Sequence, residues 1–178
     1  MDPGIAQTGW GILTLQPGRG GKAHECSVRH VDHGVITTRA SVPLPARLLN
    51  IFTKVRGMLY GEDYLFAAVE EYMIGQNPNA KSAALVLQAK GAMLAACGAA
   101  NIKVRAYTPG AIKKELTGKG NAKKDDVRFA VQALLGLDPI GTSHEADALA
   151  TGVTAIRQMS QDDQRRLLKS SAALGVPT

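Results

Sequence analysis

Tyr64-Leu65-Phe66-Ala67-Ala68-Val69-Glu70-Glu71 is a nearly continuous apolar run closed by two acids. A strand with one wet face would alternate apolar and polar residues, so this run reads as a strand buried on both faces whose end emerges at a site. Downstream, Ala80, Ala83, Ala84, Leu87, Gly91, Leu94, Ala95 and Gly98 recur at helical spacing. Their small size predicts a long helix that packs closely on another helix or on backbone. Lys103 to Tyr107 reads as a second strand. Pro109 starts a short helix ending near Gly118, and Asn121 caps another in which Val127, Val131 and Leu134 share a face. Thr142 opens a helix that runs to about Arg157. Upstream of the opening run, Leu48, Phe52, Val55 and Leu59 mark a first helix after Pro43 and Pro45. Trp10 to Leu15 and Val35 to Thr38 read as strands joined by a polar hairpin excursion containing Gly18, Gly20 and Gly21. Strands first, then alternating strand and helix, give one α/β domain with a mixed sheet and helices packed on it. From Gln158 the periodicity is lost, so residues 158–178 read as a tail, partly helical or disordered.

With 178 residues and 45% hydrophobic composition, the chain is long enough for one buried core. The longest unbroken apolar run, Ala92 to Cys97, is six residues, against the ~20 that cross a bilayer. Met1-Asp2-Pro3-Gly4 has neither the basic nor the apolar region of a secretory signal. Both features lead us to expect a soluble, cytoplasmic protein. Cys26 and Cys97 lack metal-type spacing and read as free thiols. Of the formal charge of +6, nearly all sits between Lys103 and Arg128, where eight basic residues face three acidic ones. Charge concentrated in this way favours a polyanion partner over a merely solvated face. Aromatics are only 4%, which disfavours single-strand binding on a row of stacking rings and leaves contact with backbone phosphates.

Three acids stand where structured backbone would hold them: Asp2 in Asp2-Pro3-Gly4, Glu70 at a strand end, and Asp147 in the first turns of the last helix. Each alone has the ordinary reading of a solvated acid. Together, carboxylates brought into one pocket repel and raise one another's pKa unless a hard cation offsets the charge, so the set implies a divalent metal. On the last helix His144 and Asp147 share a face, while Leu149, Val153 and Ile156 gather roughly opposite and anchor it. The placement of His144 suits ligation or proton transfer. Thr142 and Glu145 have the spacing of a capping box, which gives Glu145 a structural role. His24, His30 and His33 with Cys26 fit no strong zinc pattern.

Asp2-Pro3-Gly4 followed by Thr8-Gly9-Trp10-Gly11, then Val69-Glu70-Glu71, then Tyr107-Thr108-Pro109 through Ile112-Lys113-Lys114, then Glu145-Ala146-Asp147-Ala148-Leu149-Ala150, resemble in order and spacing the motifs of the RuvC family of Holliday junction resolvases. The similarity spans residues 2–157. It implies an RNase H-like nuclease domain over residues 1–157 and a homodimer. It also implies symmetric nicking of four-way junction DNA, in recombination and repair, by two divalent cations per active site, Mg²⁺ or Mn²⁺. Branch-migration proteins, RuvA and RuvB, are further partners that the resemblance would bring.

By position, the resemblance makes Asp2, Glu70 and Asp147 three of the family's four acidic ligands. The fourth position departs: many members carry aspartate three residues before the last acid, and this chain has His144. Imidazole suits transition metals better than Mg²⁺, so Mn²⁺ is expected to be preferred. Lys113 and Lys124 match positions at which the family contacts DNA near the cut. Lys119 and Lys123 lie in the same region, and a helix start at Asn121 would add backbone N–H groups suited to phosphate. After Glu70, where some members set a phenylalanine against a base, stand Tyr72 and Met73, as wedge or as core. In the family an apolar strand leads into the first aspartate, whereas here only Met1 does. This leads to the expectation of a shortened central strand and of a natural protein that extends upstream. Two other readings are a nuclease resembling the YqgF group, acting on RNA or RNA–DNA hybrid, and a non-catalytic junction-binding protein.

Overall fold

The computed structural model describes residues 1–16, 27–72, 79–137 and 139–173, without the side chains of 167 and 169–173. The glycine-rich excursion, His24, Cys26 and Met73 lie outside the described residues. The elements run β1 (Gln7–Gln16), β2 (Ser27–Thr37), α1 (Leu44–Leu59), β3 (Ala67–Glu70), α2 (Ala80–Ala99), β4 (Val104–Tyr107), α3 (Pro109–Thr117), α4 (Lys124–Leu135), α5 (Ser143–Arg157) and α6 (Gln161–Ala173). This is the expected mixed α/β architecture.

β1 and β2 form an antiparallel hairpin registered from Gln7 opposite Thr37 to Gln16 opposite Ser27. β3 and β4 are parallel, from Ala67 beside Val104 to Glu70 beside Tyr107. The first two residues join these pairs. The amide of Asp2 donates to Gly9 O at 2.9 Å, and Gly9 N returns the bond to Asp2 O at 3.0 Å. On the other side the Met1 ammonium donates to Ala68 O at 2.7 Å, and Glu70 N donates to Met1 O at 3.0 Å. Met1 and Asp2 therefore act as the middle strand of one mixed sheet ordered β2, β1, Met1–Asp2, β3, β4.

Two apolar clusters hold helices to this sheet. Ile51 and Val55 of α1 and Ala89, Met93 and Ala96 of α2 pack with Ile36 and Val69, and Met1 and Trp10 join them. Ile112 of α3 and Val127 and Val131 of α4 pack with Ala146, Leu149 and Ala150 of α5. Burying a side chain as large as Leu149 stabilises by about 1.5–3 kcal/mol, so each cluster suffices to fix its helices against the sheet.

Several sequence expectations shift. β2 starts at Ser27 rather than Val35, because the polar residues His30, Asp32 and His33 mask the alternation of an outer strand. The opening apolar run contributes only Ala67–Glu70 to a strand. The fourth helix is capped by Lys123, not Asn121, with the Lys123 amide donating to Asp126 Oδ2 at 3.1 Å. Leu134 is 41% exposed, and Leu135 packs on the core in its place. The stripe on α2 faces outward: Ala89, Met93, Ala96 and Cys97 form the buried face, while Leu87 and Leu94 are 42% and 38% exposed. α2 is also the one described helix long and apolar enough to cross a membrane by length and composition. Counting unbroken apolar runs misses this, because its lysines, serine and glutamine interrupt a still apolar average. Within the tail, Gln161–Ala173 is helical.

Candidate active site

Asp2 is placed by its two-way bridge to Gly9 and by the turn that follows it. The Thr8 hydroxyl donates to Gly4 O at 2.7 Å, and the Thr38 amide donates to Ala6 O at 2.9 Å. The buried Arg47 donates from Nε to Thr38 Oγ1 at 2.8 Å and from its terminal nitrogen to Ile5 O at 3.2 Å. This latch behind Asp2 has no counterpart in the sequence reading. Nothing in the pattern of α1 singles out an arginine whose partners are 9 and 42 residues away.

α5 presents the other half. Its capping box forms as expected: Glu145 N donates to Thr142 Oγ1 at 3.2 Å, and Thr142 N donates to Glu145 Oε2 at 2.6 Å. The helix start lies directly on β1, because a Cβ at Gly9 would stand 1.9 Å from His144 O and one at Gly11 would stand 2.6 Å from Leu149 Cδ2. The glycines of Thr8-Gly9-Trp10-Gly11 thus serve close approach, and they bring His144 Nδ1 to 2.5 Å from Asp2 Oδ2 across 142 residues of sequence.

Asp147 lies one turn on and accepts from Lys124 Nζ at 3.0 Å. Glu70, at the end of β3, is close enough to both acids to feel their charge. Burial first, then the carboxylates of Asp2 and Asp147, push its pKa up to about 7. Burial also raises Asp147, against the opposing pull of Lys124. The hydrogen bond that His144 donates to the Asp2 carboxylate raises its pKa above the ordinary value, although burial works against it. Desolvation opposes the charge on Lys124, but Asp147 outweighs it, with Asp2 and Glu70 adding to the effect, and the net shift is upward. The pocket therefore gathers three carboxylates, with the Lys124 ammonium bonded to Asp147 and the His144 imidazole to Asp2. It can bind a cation through oxygen and imidazole donors, or move a proton near neutral pH through Glu70 or His144. Among the described residues, no three acid, histidine or cysteine side chains stand together as one metal cage. His144 and Lys124 draw Asp2 and Asp147 to themselves.

Of the basic residues singled out, Lys124 belongs to this pocket, Lys113 is half-buried on α3, and Lys119 and Lys123 are exposed in and just after the loop between α3 and α4. Tyr72 is half-buried, two residues past Glu70, and its buried hydroxyl has no hydrogen-bond partner among the described residues. His30 and His33 pair with each other, Nε2 to Nδ1 at 2.8 Å, on β2.

A family profile described as crossover junction endodeoxyribonuclease RuvC matches residues 1–155. Proteins of that name are similar over most of the chain. The one from Syntrophomonas wolfei is 35% identical over 86% of this chain and 84% of its own length. The one from Chloroflexus aurantiacus is 37% identical over 86% and 88%. Among solved structures, Thermus thermophilus RuvC superposes with a TM-score of 0.72 at 31% identity, covering 98% of this chain and 93% of that one. T. thermophilus RuvC in complex with Holliday junction substrate gives a TM-score of 0.74 at 27% identity, with the same coverage.

Proposed function

The chain belongs to the RuvC family of crossover junction endodeoxyribonucleases, Holliday junction resolvases of RNase H-like fold, and from that premise we propose that Asp2, Glu70, His144 and Asp147 are its metal-binding catalytic set. One observation carries the assignment: the bridge of Asp2 to Gly9 and the seating of α5 on β1 bring Asp2, His144 and Asp147 together beside the end of β3, where Glu70 lies close enough for both carboxylates to add to the rise that burial gives its pKa. Hard divalent cations are the natural complement of such oxygen donors, and His144 adds a nitrogen that favours Mn²⁺ over Mg²⁺. Bound there, two such ions would lower the pKa of an attacking water and stabilise the leaving oxygen at phosphorus.

The chain's own groups do the rest. Asp2 and Asp147 hold their positions from the middle strand of the sheet and from a helix turn, so they supply fixed oxygens. Glu70, between them, positions water or takes its proton. Lys124, on release from Asp147, meets a non-bridging phosphate oxygen and stabilises the charge that develops there. Lys113, Lys119 and Lys123, on and after α3, would contact the DNA backbone, and Tyr72 and Met73 follow Glu70 in sequence where a base step would be opened. Residues 1–157 form the nuclease domain and residues 158–178 an appendage to it. The setting is cytoplasmic, with the branch-migration proteins RuvA and RuvB as further partners.

Paired nicks need two sites related by a two-fold axis, and a homodimer supplies them. The outward stripe of α2 supports this reading. Ala80, Ala84, Leu87, Gly91, Leu94 and Gly98 alternate at four- and three-residue spacing, the pattern of a helix–helix seam.

A synthetic four-way junction incubated with Mn²⁺, beside linear duplex and RNA–DNA hybrid, tests the proposal. Symmetric nicks in the junction are expected. Cleavage of the hybrid instead would indicate the YqgF-like reading, and a gel shift without nicks a binding protein that has lost its chemistry.

A further inference from the structure

The outer strand β2 is one residue longer than the stretch of β1 that it faces. Asp32 stands opposite Ile12 and His30 opposite Leu13, which leaves Val31 as the extra residue of a β-bulge. The bulge changes which side chains share a face. In a regular strand residues 30 and 33 would point to opposite sides of the sheet. Here His33 is opposite Gly11 and His30 opposite Leu13. Gly11 and Leu13 both face α5, since a Cβ at Gly11 would meet Leu149 and one at Gly152 would meet Leu13. The two imidazoles therefore come to one side of the sheet, where His30 Nε2 and His33 Nδ1 stand 2.8 Å apart and the rings are inclined at 70°.

Both rings are half-buried, so their positions are held while water still reaches them. Burial first, then His33, lowers the pKa of His30, which keeps that ring neutral and its nitrogen available as a ligand at neutral pH. Asp32, between the two, accepts a hydrogen bond from the His33 amide at 2.8 Å and places negative charge beside the pair. The separation of the two nitrogens selects the metal. With metal–nitrogen bonds of ~2.0–2.1 Å, nitrogens 2.8 Å apart subtend about 85–90° at a shared ion, whereas a tetrahedral ion would need them about 3.3 Å apart. Right-angled neighbours belong to square-planar or tetragonal coordination, the preference of Cu²⁺ and Ni²⁺. Mg²⁺, which takes oxygen donors, has no claim on such a pair.

We propose that His30 and His33 form a bidentate site for Cu²⁺, each giving one ring nitrogen in adjacent positions around the ion. Among the described residues no third acid, histidine or cysteine completes the set, so water fills the remaining positions. On binding, the ion replaces the hydrogen that lies between the rings. The ring that carried this proton takes one from solvent at its far nitrogen, so both imidazoles stay neutral and no net proton is released. The ion then ties the two ends of the bulge together, which resists its opening. The site is separate from the acids of the candidate active site and does not depend on the nuclease reading.

The probe is Cu²⁺ alone, titrated into the intact protein in saturating Mg²⁺ and followed by electron paramagnetic resonance and thermal melting. A saturable signal with hyperfine coupling to two imidazole nitrogens and a raised melting temperature are expected. His30→Asn and His33→Asn should each weaken that binding roughly tenfold or more, with metal-free melts showing that both variants still fold. His144→Ala should leave it unchanged. Ni²⁺ should bind more tightly than Zn²⁺, an order that a tetrahedral pair would reverse. A signal from a single nitrogen in the parent, or unchanged Cu²⁺ affinity in either asparagine variant, would overturn the site. Loss of the signal in His144→Ala would move the copper to the candidate active site and overturn it equally.

Discussion

Glu70 carries a cost that its proposed role accounts for. Burial first, then Asp2 and Asp147, push its pKa from the ordinary 4.5 up to about 7, so the folded state keeps a proton that the unfolded state releases. Stability tied to this group is therefore highest at low pH and falls as pH rises from about 4.5 through about 7. At ~1.4 kcal/mol per pH unit the loss over that span is at most about 3–4 kcal/mol. Glu70→Gln should flatten that fall and melt higher than the parent at pH 8 in chelator, while junction nicking drops by about 10³-fold or more and junction binding persists. Melts from pH 5 to 8 read the first effect and a nicking assay the second; retained nicking would end the role given to Glu70. His144 works in the same pH direction for a different reason. Its pKa is raised by Asp2, so the pair's stabilisation is complete below the ordinary histidine value and fades as pH rises through the raised one. His144→Asp replaces this pairing with another carboxylate and makes the donor set harder. Nicking rates at saturating metal should favour Mn²⁺ in the parent and show a narrower gap in the variant; a parent equally fast in Mg²⁺ would contradict the preference.

Among elements, the junction of β1 with the start of α5 decides whether the four side chains meet. Gly9→Ala would drive a Cβ into the carbonyl of His144, a backbone atom with no rotamer to yield, so α5 must lift from the sheet. The expected result is a clear drop in melting temperature and loss of nicking together. A variant that melts like the parent would show that the contact is looser than described. Thr142→Ala removes one capping partner and should cost about 1 kcal/mol, with nicking reduced only as far as His144 is displaced. The sequence was legible where a local rule governs, as at the capping box of α5, the proline start and glycine end of α3, and the acids at the end of β3 and in α5. It was misread where tertiary context overrides the local signal. Helical spacing alone does not tell which apolar face of α2 is buried, because alanine, glycine and leucine occur on both sides. The Arg47–Thr38 latch rests on a distant pairing.

For the whole molecule, the outward face of α2 raises the question of what covers it. Its leucines are exposed at Leu87 and Leu94, seven residues apart, with Gly91 between them on the same face. A Cβ at Gly91 would meet nothing within 4 Å, so the single chain does not need glycine there. Glycine in mid-helix costs roughly 0.5–1 kcal/mol relative to alanine, and the close approach of a second helix is a physical reason to bear that cost. Gly91→Glu separates the two levels. Within one chain it removes a helix-weakening residue and adds no clash, so the melting temperature of the monomer should hold or rise. Across a two-fold seam it sets two carboxylates against each other where the backbones come closest. Sedimentation at micromolar concentration should then show monomers where the parent shows dimers. A cruciform plasmid should accumulate nicked circles in place of linear product, because the second cut no longer accompanies the first. If Gly91→Glu remains dimeric and still linearises the cruciform, the two-fold axis lies on another face, and α2 presents its stripe to something else.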